Sequence, residues 1–461
     1  MTLFIDFLFF VHVLSCVIRM KNYVYLKDVL AVIQEPDSVK IQKTGILIDK
    51  DEGLIEKIGE LPANLTSSGV EILDYYRDFL VMPGFIDPHV HFRIPGKPES
   101  EDWFTGSLAA LSGGVTTVLD MPNNNPATTS ENGINTKLDH IRQHSLINYG
   151  LFGGLTSNNL DFLLNNKDVK AIKVYMASTT GDLLMNQIDN IDFSNTKKVI
   201  TFHAEDESTI RQNELQTGKI RDPWQHSQIR SEEAAIKAVR QVMDIYGKTR
   251  GNFHIAHVST SREVRELENS GISFECAPHH VFCSCDDYNN GGFLWKCNPP
   301  LREAATRDDL LEMLFAGRIS MIATDHAPHL LKDKQPVDGI PASGMPGLEA
   351  GTHFILNEMV SGKIGILQAA QMLSTNAAKR FGIENRGFIR EGFFADLAIV
   401  DTRKNWTFQA DNVHSKCGWS PYTGFSFQAK VAATFVNGLE YKTSELKKIK
   451  LAEKQVKIYQ V

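Results

Sequence analysis

The sequence predicts an α/β protein: a (β/α)8 barrel of the TIM type over residues 81–390, with a small β-sandwich domain formed by the N- and C-terminal segments, 22–80 and 391–445. Three observations predict it. Apolar strand-like runs alternate with helical patterns through the middle of the chain. Both ends carry strand-and-turn texture, and polar side chains recur where the middle strands stop. Alternation of this kind over a long stretch argues for a parallel sheet, and catalytic side chains of such barrels gather at the strands' C-terminal ends.

The elements follow in order. Residues 24–32, 44–49, 54–58 and 70–74 are short apolar runs bounded by Asp, Gly, Pro or Asn, which reads as strands. Barrel strands are expected at 115–120, 171–176, 198–203, 254–258, 272–276 and 319–324. Helices are expected at 231–246 and 261–269; the first places Ala234, Ala235, Ala238, Val239, Val242 and Ile245 at helix-compatible spacing. Strand texture returns at 396–401 and at 431–438, where the second run closes on Asn437-Gly438. The two β-rich ends can therefore pair around whatever lies between them. Residues 446–461, with Lys447, Lys448, Lys450, Lys454 and Lys457, read as a solvated Lys-rich tail.

The start of the chain stands apart. Residues 3–18 are apolar but interrupted by Asp6 and His12. The run is short of the roughly 20 residues of a membrane span, and no positively charged leader precedes it. Residues 1–21 are expected to be an apolar extension outside the fold, or to precede a start at Met20; a buried first strand and a membrane anchor are the alternatives.

Composition excludes several classes. With 461 residues, 42% of them hydrophobic, the chain can bury a large core without staples. Its 48 basic and 55 acidic residues give a net charge of −7, which is not the basic footprint of a nucleic-acid binder. Six cysteines without a CxxC pair argue against a disulfide scaffold and for reduced thiols in the cytoplasm.

Chemistry is carried by the strand ends. Asp87-Pro-His89-Val-His91 places two imidazoles at i and i+2, on one face of an extended chain. Alone this means little, since 15 histidines in a chain this long give roughly half an HxH by chance. Three further strand ends agree. Val199-Ile-Thr-Phe-His203 runs into Glu205 and Asp206; His254-Ile-Ala-His257 ends another; Thr324-Asp325-His326 follows a third. Lys173 sits inside an otherwise apolar strand, where a cation is costly unless paired or neutralised. Four neutral imidazoles and a carboxylate match a borderline metal such as Zn2+ in an open, catalytic site, and two ions sharing a hydroxide would supply a nucleophile at neutral pH. His140, His144, His226, His353 and His414 show no such placement and read as surface or packing residues.

These residues, with the segments Pro83-Gly-Phe-Ile-Asp-Pro-His89-Val-His91-Phe-Arg93, Met121-Pro-Asn-Asn-Asn-Pro126, Ile229-Arg-Ser-Glu-Glu233, Ala277-Pro-His-His-Val-Phe282, Asn298-Pro-Pro-Leu-Arg302, Thr324-Asp-His-Ala-Pro-His329 and Gly344-Met-Pro-Gly-Leu-Glu349, resemble the amidohydrolase superfamily and, within it, the longer class of dihydroorotases. The resemblance covers roughly residues 44 to 437. It implies a zinc enzyme of pyrimidine biosynthesis that reversibly cyclises N-carbamoyl-L-aspartate to L-dihydroorotate and water. His89, His91 and Asp325 would hold one Zn2+. Lys173, carboxylated, would bridge to a second held by His203 and His257. Asp325 would shuttle the proton. Arg93, Asn123 and His329 would bind the substrate carboxylate, Asn298, Ser343 and Gly344 would line the ring, and His280 would stand just behind the ligands.

Two departures from the pattern are Ile94, where the family often carries Glu, and the unmatched loop 330–342. The partner implied is the small-molecule substrate, with no nucleic acid or membrane, and a homodimer is left open. A hydantoinase or dihydropyrimidinase on the same scaffold is the enzymatic alternative, with Arg93 as the distinguishing feature. A metal-free paralogue serving as a structural partner is the non-enzymatic one.

Overall fold

The computed structural model describes residues 22–34, 39–65, 69–185, 187–194, 196–453 and 457–461. Five strands open the described chain: β1 (Tyr23–Gln34), β2 (Val39–Asp49), β3 (Leu54–Ile58), β4 (Glu71–Leu73) and β5 (Leu80–Pro83). Seven follow in the middle region: β6 (Phe85–Val90), β7 (Val115–Asp120), β8 (Asn148–Gly154), β9 (Ala171–Tyr175), β10 (Val199–His203), β11 (Phe253–Ile255) and β12 (Ser273–Phe274). The last five are β13 (Leu397–Asp401), β14 (Trp406–Thr407), β15 (Ser426–Phe427), β16 (Lys430–Val436) and β17 (Leu439–Lys442).

The two ends of the chain share one sheet, ordered β17-β16-β13-β5-β1-β2-β3, with β4 also on β1. The junction is the antiparallel pair of β13 and β5, in which Leu397 faces Pro83 and Val400 faces Leu80. A register shift between Leu26 and Val29, with Asp28 at φ 57°, divides one edge of β1. Val24–Leu26 pair with β4 and Leu30–Ala31 with β5. A bulge twists and bends a strand, which here lets a single edge serve two partners. The unit expected as a sandwich is thus built on one continuous hydrogen-bonded sheet. Its own core contains Val24, Leu26, Val29, Ile46, Ile48, Leu397, Ile399 and Phe435.

Strands β6 to β12 form a parallel sheet in sequential order. All residues of β6 to β11 are buried, as expected of strands covered on both faces. Between them run helices such as Trp103–Ser112, Glu131–His144 and Glu232–Thr249. The last buries Ala234, Ala235, Ala238, Val239, Val242 and Ile245, the face its sequence spacing marks. The eighth strand, expected at 319–324, is reduced to two isolated parallel bridges, Cys276 with Ile322 and Val90 with His326. Its backbone is shared among several partners: Ile322 N–H goes to Met372 O, Ala323 N–H to Cys276 O, and Thr324 N–H to the Asp87 carboxylate. Those bridges still join this segment to both β12's continuation and β6, closing the circle.

The five C-terminal residues, expected within a solvated tail, dock on the barrel. Lys457 is exposed, yet Tyr149 N–H donates to Tyr459 O at 3.1 Å and Val461 N–H to Tyr149 O at 2.9 Å. The apolar extension expected over 1–21 lies outside the described residues. Among those described, no helix is long and apolar enough to cross a membrane, and Cys276, Cys283, Cys285, Cys297 and Cys417 are buried free thiols.

Candidate metal centre

Three of the expected site residues leave their strands through the left-handed region. Arg93 has φ 61°, His257 φ 38° and Asp325 φ 48°. Non-glycine residues pay about 1–2 kcal/mol to sit there, and such outliers concentrate at functional sites. The turns end the strands early: β11 stops at Ile255 rather than at 258, and the side chain of His257 is directed inward, among the residues lining the central cavity.

His89, His91 and Asp325 converge, their ligand atoms all within 4.8 Å of one another. Asp325 Oδ1 lies 3.3 Å from His89 Nε2 and 3.2 Å from His91 Nε2. The outer nitrogens settle which atoms carry protons. His89 Nδ1 lies 2.6 Å from Glu275 Oε1, a carboxylate that only accepts, so Nδ1 donates. His91 Nδ1 lies 2.6 Å from Asn123 Oδ1, whose amide orientation is set by Nδ2 donating to Thr180 O at 2.8 Å. Both Nε2 atoms therefore present lone pairs to a carboxylate oxygen. Three acceptors facing one another repel unless a cation or a proton lies among them. Burial holds both imidazoles below their usual range, His89 well below, which favours the neutral ligating form.

A second group lies beside the first. His203 Nε2 is 2.8 Å from Glu205 Oε2, so the proton sits there and Nδ1, 2.9 Å from His257 Nε2, offers its lone pair. Glu205 is clamped in turn by Arg230, whose Nη2 donates to Oε2 at 2.6 Å. His257 Nδ1 and Lys173 Nζ are buried without a hydrogen-bond partner. Lys173 is 1% exposed, and burial pulls its amine down to about 8 against the opposing pull of Glu275 and Asp325. An orphaned, partly neutral amine beside acceptor-bearing imidazoles fits a two-metal site in which the lysine is modified to an oxygen ligand. The donor set of nitrogen and oxygen without sulfur suits Zn2+.

His89, His91, Lys173, His203, His257 and Asp325 line one cavity, together with Arg93, Asn123, Asn298, Ser343 and Gly344. Arg93 is buried and forms no ion pair among the described residues. Its Nε donates to Pro328 O at 3.0 Å and its Nη2 lies 3.0 Å from His329 Nε2. The same His329 atom lies 3.0 Å from Ser343 O. One nitrogen cannot both accept from the guanidinium and donate to the carbonyl, so this corner lacks an acceptor. Asn298 Oδ1 lies 2.9 Å from His226 Nε2 and its Nδ2 donates to Thr179 Oγ1 at 3.2 Å. Of the expected site residues, His329 and His280 stay out of the cavity wall. His329 backs Arg93, and His280 donates through Nε2 to Pro299 O at 2.9 Å, behind Asn298. Ile94 is buried in the main core.

The loop 330–342, unmatched in sequence, holds the Ser343-Gly344 wall through Lys334. This lysine is fully buried and its Nζ donates to Lys296 O at 2.7 Å, Ala342 O at 3.0 Å and Gly344 O at 2.8 Å. Three carbonyls use all three N–H bonds of an ammonium. Lys296 Nζ reinforces the same turn by donating to Pro341 O at 2.7 Å and Ser343 Oγ at 2.9 Å. Gly344, at φ 126°, admits no side chain: a Cβ would lie 2.6 Å from Ala327 O.

Several of these residues carry no role from sequence reasoning: Glu275, Arg230, Lys334, Lys296 and the cavity-lining Tyr175, Thr179 and Thr180. His226, read as a packing residue, is buried against Asn298. Glu205 had a signal, standing two residues beyond His203 at a strand end.

Residues 80–440 match the model of a family described as the amidohydrolase family. A dihydroorotase of Halobacterium salinarum is 35% identical over 364 residues, covering 77% of this chain and 85% of that protein. A dihydroorotase of Methanosarcina acetivorans is 33% identical over 394 residues, covering 81% and 84%. One from Archaeoglobus fulgidus is 31% identical over 424 residues, covering 89% and 96%. Among solved structures, an L-hydantoinase (dihydropyrimidinase) from Arthrobacter aurescens superposes with a TM-score of 0.83 at 24% identity, over 91% of this chain and 96% of that one. At that identity the likeness speaks for the fold alone.

Proposed function

The chain belongs to the amidohydrolase family and groups with its dihydroorotases, and on that footing we propose that it is a zinc dihydroorotase of the cytoplasm, opening L-dihydroorotate to N-carbamoyl-L-aspartate and closing it again in pyrimidine synthesis. The observation that carries this choice of substrate is Arg93, a buried guanidinium without an ion-pair partner among the described residues, in the cavity that holds His89, His91 and Asp325. A cyclic amide bearing a carboxylate would supply the missing acceptor; hydantoin and dihydrouracil would not.

In this reading His89, His91 and Asp325 would hold one Zn2+, His203 and His257 would hold a second, and Lys173, once carboxylated, would supply an oxygen ligand. Bound there, the ions would lower the pKa of water and polarise the scissile carbonyl. The chain's own residues do the rest. Asp325 takes the proton of the attacking water on a carboxylate oxygen and delivers it to the ring nitrogen as the amide bond breaks. Arg93 and Asn123 orient the substrate carboxylate, with His329 fixing the guanidinium from behind. Asn298, Ser343 and Gly344 bound the ring, and Glu275 and Glu205 keep the imidazole protons on the far nitrogens.

The deciding experiment is turnover of dihydroorotate, hydantoin and allantoin by the purified protein, with metal content measured on the same sample. Preference for dihydroorotate with two zinc ions per chain supports the reading. Hydantoin opened as fast as dihydroorotate would leave a metal hydrolase of another specificity.

A further inference from the structure

A second group of metal-ligating side chains lies outside the site described above. His279, His280 and Cys297 bring ligand atoms within 4.8 Å of one another, all three residues being buried. His279 and His280 are neighbours on the short helix Pro278–Phe282, and their ring centroids stand 4.2 Å apart. Cys297 comes from the segment that leads into Asn298. None of the three lines the cavity that holds Lys173 and Asp325.

The hydrogen bonding of the group is incomplete in a specific way. Both ring nitrogens of His279 are buried without a partner, although a neutral imidazole must carry one N–H. His280 donates through Nε2 to Pro299 O, so its Nδ1 bears a lone pair, and that atom too is buried without a partner. The carbonyl thereby leaves Nδ1 as the ring nitrogen free to bind a metal. Among the described residues, Cys297 Sγ reaches only Pro299 O, at 3.1 Å. Burying unpaired polar groups is costly, and few native ones stay orphaned. A cation among the lone pairs would satisfy them together.

We propose that His279, His280 and Cys297 form an additional binding site for a thiophilic divalent ion of the zinc class. Two imidazoles and one sulfur are a donor set for Zn2+ or Cd2+, with a fourth position left open. Binding releases the Cys297 thiol proton to solvent, so affinity rises with pH. The ion would fasten the turn that presents Asn298, from outside the cavity. Sulfur separates this site from the other, whose donors are nitrogen and oxygen only, so the inference stands whether or not the chain is a dihydroorotase.

The test is a Cd2+ titration of the full-length protein with its resident metals in place, followed by the ultraviolet charge-transfer band of a cadmium–thiolate bond. The wild type should show a band that saturates at about one equivalent, absent in Cys297→Ser and shifted to roughly tenfold or weaker affinity in His279→Gln. No band in the wild type, or an undiminished one in Cys297→Ser, overturns the proposal. Circular dichroism checks that each variant folds. If Cys297→Ser does not, His279→Gln decides: weakened Cd2+ affinity supports the site, and unchanged affinity removes it.

Discussion

Glu275 Oε1 lies 2.6 Å from His89 Nδ1, and its other oxygen lies 3.2 Å from His254 Nε2. The carboxylate thereby dictates that His89 turns a lone pair, not a proton, toward Asp325. Glu275→Gln should preserve the fold while lowering zinc affinity by roughly 10- to 100-fold, the usual cost of losing the partner that orients a histidine ligand. Competition against a chelator measures it. Equal affinity in the variant would mean that Glu275 has no part in metal binding.

Lys173 offers a sharper outcome because its Nζ has no partner to lose. Lys173→Ala should shed metal and most turnover, and short-chain carboxylic acids should restore part of both by placing an oxygen ligand where the modified lysine stood. A variant that keeps two zinc ions and full turnover would remove the bridging role.

The contrast between these two residues shows what the chain made legible. The ligands could be read because each ends or interrupts an apolar run: His203 closes β10 and Lys173 sits within β9. Glu275 lies within the strand expected at 272–276, but its role rests on partners far off in the sequence, His89 and His254, which no local pattern joins to it. Lys334 was hidden for another reason. Its partners are backbone carbonyls contributed by positions 296, 342 and 344, and main-chain acceptors have no signature in a sequence. The eighth strand was placed correctly as a segment but not as a strand, since the Asp87 carboxylate takes the Thr324 N–H that a neighbouring strand would have used.

Lys334 can be tested for positioning. Lys334→Met leaves three carbonyls without their donor, and buried groups stranded in this way cost about 1–3 kcal/mol each, offset by no longer burying a charge. A lower melting temperature is expected, with KM for dihydroorotate raised more than kcat falls, because the Ser343-Gly344 wall loosens while the metal ligands stay. An unchanged KM would show that the wall is held by Lys296 alone.

Asp325 sets the acid side of the pH dependence. Burial pushes its carboxyl up, but its surroundings at His91, His279 and Lys173 outweigh this and hold it below the usual range. A base works in its deprotonated form, so turnover is present above that pKa and lost as pH falls through it. The acid limb assigned to this residue should therefore lie below the ordinary carboxylate range. Asp325→Asn should abolish the limb and cut kcat by roughly 10^2- to 10^4-fold, more than it alters substrate binding. A limb that survives in the variant belongs to another group.

Specificity rests on Arg93. Beyond the end of β6, its backbone at φ 61° carries the side chain toward Pro328 and His329, where it is buried without an ion-pair partner among the described residues. Burial lowers the guanidinium to about 10, still cationic at neutral pH. A guanidinium meets a carboxylate through two parallel hydrogen bonds, which a lysine ammonium cannot reproduce. Arg93→Lys should therefore raise KM for dihydroorotate and lower kcat/KM by about 2–4 kcal/mol, roughly 30- to 1000-fold. Hydantoin, lacking the carboxylate, should lose little of whatever turnover it has. Zinc content should not change, because the guanidinium donates to Pro328 O and His329 rather than to the ligand atoms. Equal losses on both substrates would point to a collapsed cavity instead, and a silent substitution would leave the carboxylate to Asn123.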